Sequence, residues 1–145
     1  MVIKTMLDDG TAEYRDADGE YHCEDGPAVI YLDGWQAWYC DGDRHREGGP
    51  ALIDSDGTQE WYRHGELHRE DGPAVVWPDG TEQWYRNGAL HREDGPAVIR
   101  SDGSEWWYRH GLPHREDGPA VVWPDGTKEW WVCGEPAYAR WEVRP

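Results

Sequence analysis

The run His68-Arg69-Glu70-Asp71-Gly72-Pro73-Ala74-Val75-Val76-Trp77-Pro78-Asp79-Gly80 returns unchanged as His114 to Gly126, two periods later. Copies begin at His22, His45, His68, His91 and His114, each 23 residues after the last, with no insertion. A fixed period of this length describes one small structural unit stacked on itself. A residue present in every copy therefore reads first as a builder of the unit, and chemistry is to be sought where the copies differ. The five copies span 22–136. Residues 1–21 read as an N-terminal capping hairpin, with a strand over Val2–Leu7, a turn at Asp9-Gly10 and a second strand around Tyr14. Residues 137–145 read as a C-terminal cap, because Ala137 takes the His place and the pattern then lapses. Degenerate end copies are expected where an open array would leave strand edges unpaired.

Within the copy His68–Leu90, Ala74-Val75-Val76-Trp77 predicts a short strand. Pro78-Asp79-Gly80 predicts a three-residue loop, in which Pro fixes the first corner and Gly supplies the left-handed residue. A two-residue Asp-Gly loop would make Pro78 the last ladder residue, where its missing N–H is a liability. Thr81–Arg86 predicts a second strand, and Asn87-Gly88 turns the chain again. Each unit is thus a β-hairpin. The fold class expected is all-β: tandem hairpins forming an elongated, twisted antiparallel sheet or an open β-solenoid.

The three-residue loop puts Ala74, Val76, Glu82, Trp84 and Arg86 on one face and Val75, Trp77, Thr81, Gln83 and Tyr85 on the other. The first face repeats faithfully: an Ala and a Trp recur in all five copies, and it is expected to be the packed stripe. The second face varies. The Trp77 place is held in turn by Tyr31, Asp54, Trp77, Arg100 and Trp123, while Trp35 and Trp106 replace the Thr and the Gln or Glu found elsewhere.

The chain of 145 residues has eleven Trp, eight Tyr and no Phe, so its apolar surface lies in rings with a polar tip. The net charge of −16 argues against direct contact with nucleic acid or anionic lipid, both of which call for Lys and Arg. Half of it, −8, falls in residues 1–44. No stretch approaches the ~20 apolar residues of a membrane helix, and no signal-peptide core opens the chain. A cytoplasmic location is expected, the host cytoplasm if the source is viral. Cys23, Cys40 and Cys133 stand at places that are not Cys in other copies, which predicts free thiols with neither a disulfide framework nor a metal site.

His-Arg-Glu-Asp-Gly brings together an imidazole, a guanidinium and two carboxylates. Equivalent His residues two strand spacings apart lie ~9.5 Å from one another. That is too far for one metal ion whose ligands each sit within ~2.1 Å of it. The motif reads as framework: carboxylates satisfying backbone N–H groups, and Arg pairing with the acid of an adjacent copy. No catalytic residue, metal ligand or cofactor is assigned, and the chain is not expected to be an enzyme.

Trp84-Tyr85-Arg86-Asn87-Gly88-Ala89-Leu90-His91-Arg92, followed by Asp94-Gly95, resembles the Tyr-x-x-Asn-Gly-x-Leu-His-Gly core of MORN repeats. The likeness is nearest to the variant MORN class of bacterial YwqK-like antitoxins and of phage and large-virus repeat proteins. It covers residues 22 to about 136, with one departure: Arg46, Arg69, Arg92 and Arg115 stand where MORN units usually have Gly. The resemblance implies a hairpin-stacked scaffold without catalytic activity, used for protein–protein contact.

These observations predict a non-enzymatic acidic repeat scaffold that binds a protein partner with a basic surface. Tyr31, Trp35, Trp77, Trp106 and Trp123 are the candidate aromatic anchors, and Asp41 and Asp43 the candidate acidic contacts. Open strand edges also allow a homodimer through the terminal hairpins. Two alternatives remain: a nucleic-acid-mimicking inhibitor of a defence or nucleic-acid enzyme, of anti-restriction or anti-CRISPR type, and a carbohydrate-binding aromatic ladder. Six hairpins at ~9.5 Å give a rod with about one net charge per ~3.6 Å, against ~3.4 Å for a DNA strand.

Overall fold

In the computed structural model, which describes residues 1–137, the hydrogen bonds around Pro78-Asp79-Gly80 set the register of the whole molecule. Val75 lies opposite Gln83 and Val76 opposite Glu82. Trp77 donates its N–H to the Thr81 carbonyl at 2.9 Å, and Gly80 donates to the Trp77 carbonyl at 3.0 Å. The loop therefore has three residues, with Gly80 at φ +87°. Asp79 Oδ1 closes the corner by accepting the Thr81 N–H at 2.8 Å. Asp9, Asp33, Asp56, Asp102 and Asp125 do the same for the N–H two residues on, at 2.7–3.0 Å. These bonds hold the carboxyls of Asp9, Asp56, Asp79 and Asp125 below the ordinary carboxylate range, and the Ser104 hydroxyl, followed by its N–H, does so for Asp102.

The hairpins join into one antiparallel sheet of twelve strands, in chain order apart from the small hairpins described below. It begins with Ile3–Met6 and Ala12–Arg15, and each copy then adds two short strands, such as Val75–Val76 and Glu82–Gln83. Copies pair as hairpins do: Glu82 faces Ile99 and Gln83 faces Val98 of the next one. The sheet does not close into a barrel, which gives the elongated array of tandem hairpins.

The second strand is not continuous, contrary to the reading of Thr81–Arg86 as one element. It breaks at Trp84, whose N–H goes to the Ala97 carbonyl (2.8 Å) and whose carbonyl accepts the His91 N–H (3.0 Å). Past this break, Tyr85–Arg86 pairs with Ala89–Leu90 as a separate two-stranded hairpin. Five such hairpins form a second row, tied by bonds such as Gly88 N–H to the Leu67 carbonyl at 2.9 Å. Their tips have two consecutive residues at positive φ, as a two-residue type I′ turn requires. Asn87-Gly88 takes +49° and +72°, and Asp41, His64, His110 and Cys133 hold the first place at +50°, +49°, +50° and +52°.

Ala28, Ala51, Ala74, Ala97 and Ala120 are completely buried, and the Trp of each copy is half-buried. The opposite face is covered as well. Val29, Leu52, Val75, Val98 and Val121, one residue on, are also buried, together with Ala37, Thr58 and Ser104. The second face is therefore not simply a variable, outward surface. The physical reason is in the run Ala-Val-Val: a strand covered on both sides is apolar at successive positions, without alternation.

Candidate functional site

The repeated motif is a set of clamps. The Arg69 guanidinium lies over the Trp61 ring, with Cζ 4.1 Å from its centroid. Its Nε donates to Asp71 Oδ1 at 2.9 Å and its Nη1 to the Pro73 carbonyl at 3.2 Å. A Cβ on Gly72 would stand 2.9 Å from Cζ, so glycine leaves the room that the guanidinium fills. Arg115 repeats every contact, on Trp107, Asp117, Pro119 and Gly118. This Arg pairs inside its own copy, not with the acid of a neighbour as expected. The pairs between copies come from a different Arg, in Arg63–Glu70 at 3.6 Å and Arg86–Glu93 at 3.7 Å.

The recurring His is equally structural. Nδ1 of His22, His45, His68, His91 and His114 accepts the backbone N–H of Asp41, His64, Asn87, His110 and Cys133 at 3.1–3.3 Å. The donor is always the residue 19 positions on, at the left-handed corner of a small hairpin. A neutral ring used this way carries its hydrogen on Nε2, which faces a Glu of its own motif in four copies, at 3.6–3.9 Å. His91 is the most enclosed of these rings, and burial, followed by the nearby His110 and Arg86, pushes its pKa down. His64 and His110 are more than corner residues, since their rings pack on His45 and His91 at 4.6 and 4.5 Å.

The unrepeated aromatics form local groups. Tyr31 and Trp35 flank the first copy's loop and pack edge to face at 5.0 Å, with Tyr31 well exposed beside Leu32. Trp106 and Trp123 meet edge to face at 5.5 Å, and the Arg100 guanidinium lies over Trp106 at 4.8 Å. Trp77 stands between these groups in chain order. It lines a groove of about 330 Å³ with Arg100 and Ser101, where the Ser101 hydroxyl reaches Asp79 Oδ2 at 3.0 Å. Trp106 departs at a place where other copies satisfy a half-buried ring: Tyr62 donates to Glu60 at 2.7 Å, Tyr85 to Gln83 at 3.0 Å, and Trp131 to Glu129 at 2.9 Å. Trp106 cannot accept such a bond, and its own Nε1 is buried with no partner among the described residues. Asp41 and Asp43 lie on a small hairpin, separated from Tyr31 and Trp35 by the run 36–40.

Cys23, Cys40 and Cys133 are free thiols. The fold nevertheless gathers His22, Cys40 and Asp41, a group that sequence reading missed. Burial, then Asp41, Glu24 and Asp43, raise the Cys40 thiol above its ordinary value. The signal that could have found the group is the 19-residue step, which joins His22 to Asp41 as it joins each motif His to the next hairpin corner. No protein-family model matches the chain, and no curated protein matches it. No helix among the described residues is long and apolar enough to cross a membrane.

Proposed function

We propose that the protein is a non-enzymatic acidic repeat scaffold that binds a protein partner with a basic surface. The supporting observation is the division of labour just described. The motif residues that recur are committed to clamps and corners, while at places where the copies differ Tyr31 packs on Trp35 and Trp106 on Trp123, with Trp77 lining a groove between them in chain order. Tyr and Trp give large contact area at low conformational cost, and acid in the first half steers a cationic partner. The likeness of the repeat to MORN units supports the same reading. The test is quantitative affinity capture with the full chain and a Trp77→Ala/Trp123→Ala variant. Loss of a specific partner from the variant supports the proposal, and identical captures from both chains overturn it.

A second reading is favoured by the length of the sheet. Twelve strands at ~4.8 Å extend the acid over ~55 Å, close to the charge spacing of one nucleic-acid strand. Binding to a nucleic-acid enzyme that weakens steeply with salt and is competed by DNA or RNA supports mimicry. Salt-insensitive binding rejects it.

A further inference from the structure

The geometry points to a divalent transition-metal site of the zinc class on the first rung of the array, held by His22, Cys40 and Asp41. Nδ1 of His22, Sγ of Cys40 and a carboxylate oxygen of Asp41 all lie within 4.8 Å of one another, the one such group of three among the described residues. His22 Nδ1 is 3.1 Å from Asp41 Oδ1, and Cys40 Sγ is 3.7 Å from Asp41 Oδ2. Metal–ligand bonds of ~2.0–2.3 Å at tetrahedral angles put neighbouring ligand atoms about 3.3–3.6 Å apart, so small side-chain rotations suffice. One nitrogen, one thiolate and one carboxylate suit a borderline-soft ion better than Ca²⁺ or Mg²⁺, which take oxygen ligands.

Three further observations converge on this rung. His22 Nδ1 and Asp41 Oδ1 are both acceptors when the ring carries its hydrogen on Nε2, and a cation between them turns opposed lone pairs into ligands. The other ring nitrogen, Nε2, faces Glu24 Oε1 at 3.9 Å, as its counterparts face a Glu in three other copies; a closer approach gives the carboxylate–histidine pair that orients a ligating imidazole. The departures from the repeat are also concerted. Cys40 stands where the next three copies have Arg63, Arg86 and Arg109, and Cys23 where the other four have Arg46, Arg69, Arg92 and Arg115. The rung has thus lost two recurring guanidinium groups and gained Asp41 in the place of His64, Asn87, His110 and Cys133, and a divalent ion offsets that change of charge. Binding takes the His22 lone pair from the Asp41 N–H, which lies in an exposed turn open to water. At the opposite end, Cys133 Sγ and His114 Nδ1 meet at 3.4 Å, with no third ligand in reach among the described residues.

The test is Co²⁺ titration of the full reduced chain, read by thiolate-to-cobalt charge-transfer absorption, with Zn²⁺ as competitor. The expected result is one Co²⁺ per chain with a thiolate band that Zn²⁺ abolishes. Cys40→Ser removes the band, and Asp41→Asn weakens binding roughly tenfold or more. The Asn variant keeps a residue suited to the left-handed corner, as Asn87 shows, so its loss of binding is not a loss of fold. Cys133→Ser and Cys23→Ser leave the band in place. Absence of the band in the parent chain overturns the assignment, as does its survival in Cys40→Ser or its loss in Cys133→Ser or Cys23→Ser.

Discussion

Replacing Gly72 with Ala should change sign according to whether Arg69 is present. The new Cβ would stand 2.9 Å from Cζ and 3.1 Å from Nε and Nη2 of Arg69, against an ordinary carbon contact of ~3.5–4.0 Å. The guanidinium must withdraw by more than half an ångström, off the Trp61 ring and away from the Pro73 carbonyl. The cation–π contact is worth ~0.5–1 kcal/mol and the charged bond to the carbonyl ~1.5–3 kcal/mol. The Asp71 pair is solvent-exposed and adds little. Partial loss of these contacts costs about 1–3 kcal/mol. Gly72 is not among the residues at positive φ, so Ala is tolerated by the backbone and returns ~0.4–1 kcal/mol by restricting the unfolded chain. Gly72→Ala should therefore destabilise the parent by about 1–2 kcal/mol and stabilise an Arg69→Ala background. The first copy is a built-in control, because Cys23 replaces the Arg and a Cβ on Gly26 meets nothing within 4 Å. Gly26→Ala should be neutral or stabilising. Urea denaturation of the full chain, followed by Trp fluorescence and circular dichroism, measures each variant. Equal cost of Gly72→Ala in both backgrounds, or equal cost at Gly26 and Gly72, refutes the clamp.

Cys133 occupies a left-handed corner at φ +52°, so Cys133→Asn should raise stability by ~0.5–1 kcal/mol, seen as a higher urea midpoint. His91 is held neutral in the fold, its pKa lowered from 6.5 chiefly by burial. The folded state binds fewer protons, so this contribution is complete above pH 6.5 and is lost as pH falls through the folded value. Urea midpoints at about pH 7.5 and pH 5 should differ, and His91→Gln should shrink the difference. The corner Asp residues, with pKa values depressed from 3.8 by bonds to the N–H two residues on, contribute stability above that pH. It is lost in more acid solution, and Asp79→Asn should flatten that limb of the acid-unfolding curve. Trp106→Gln should supply Tyr108 with the hydroxyl acceptor that Gln83 gives Tyr85, leaving stability equal or higher while reducing partner capture.

The hairpin, its period and its three-residue loop were legible because each rests on local chemistry. Pro78 fixes one corner, Gly80 the other, and Asp79 bonds a residue two positions away. The break at Trp84 was not legible, since Thr81–Arg86 is β-prone throughout. What interrupts it are bonds to Ala97 and His91, partners that arrive only when the next copy is stacked. The same holds for the motif. The sequence shows Arg69 beside two acids, but nothing local says that it turns back onto Trp61, or that His68 reaches the corner at Asn87. The burial of both sheet faces is legible in Ala-Val-Val, where apolar residues run on without alternation.

Several departures from the repeat remove a contact that other copies make. Cys23 forgoes the guanidinium that elsewhere lies over the Trp eight residues back, a place held here by Arg15, while Trp38 keeps its clamp from Arg46 at 4.0 Å. Gly48, in the place of Asp71, leaves Arg46 with the Pro50 carbonyl but no carboxylate partner of its own motif. Cys40 forgoes the cross-copy pair that Arg63 and Arg86 make. Trp106 forgoes the acceptor for Tyr108 and buries an unpaired N–H, at a cost of ~1–3 kcal/mol. In a stacked array such losses stay local, because each unit touches only its neighbours. A copy can give up a framework contact without unfolding the rest. The first copy has given up two of them and holds His22, Cys40 and Asp41 in their stead. The fourth has given up another and, with the fifth, holds Arg100, Trp106 and Trp123 in one stack. The proposed metal site and the proposed partner surface thus draw on the same device, local substitution on a single scaffold.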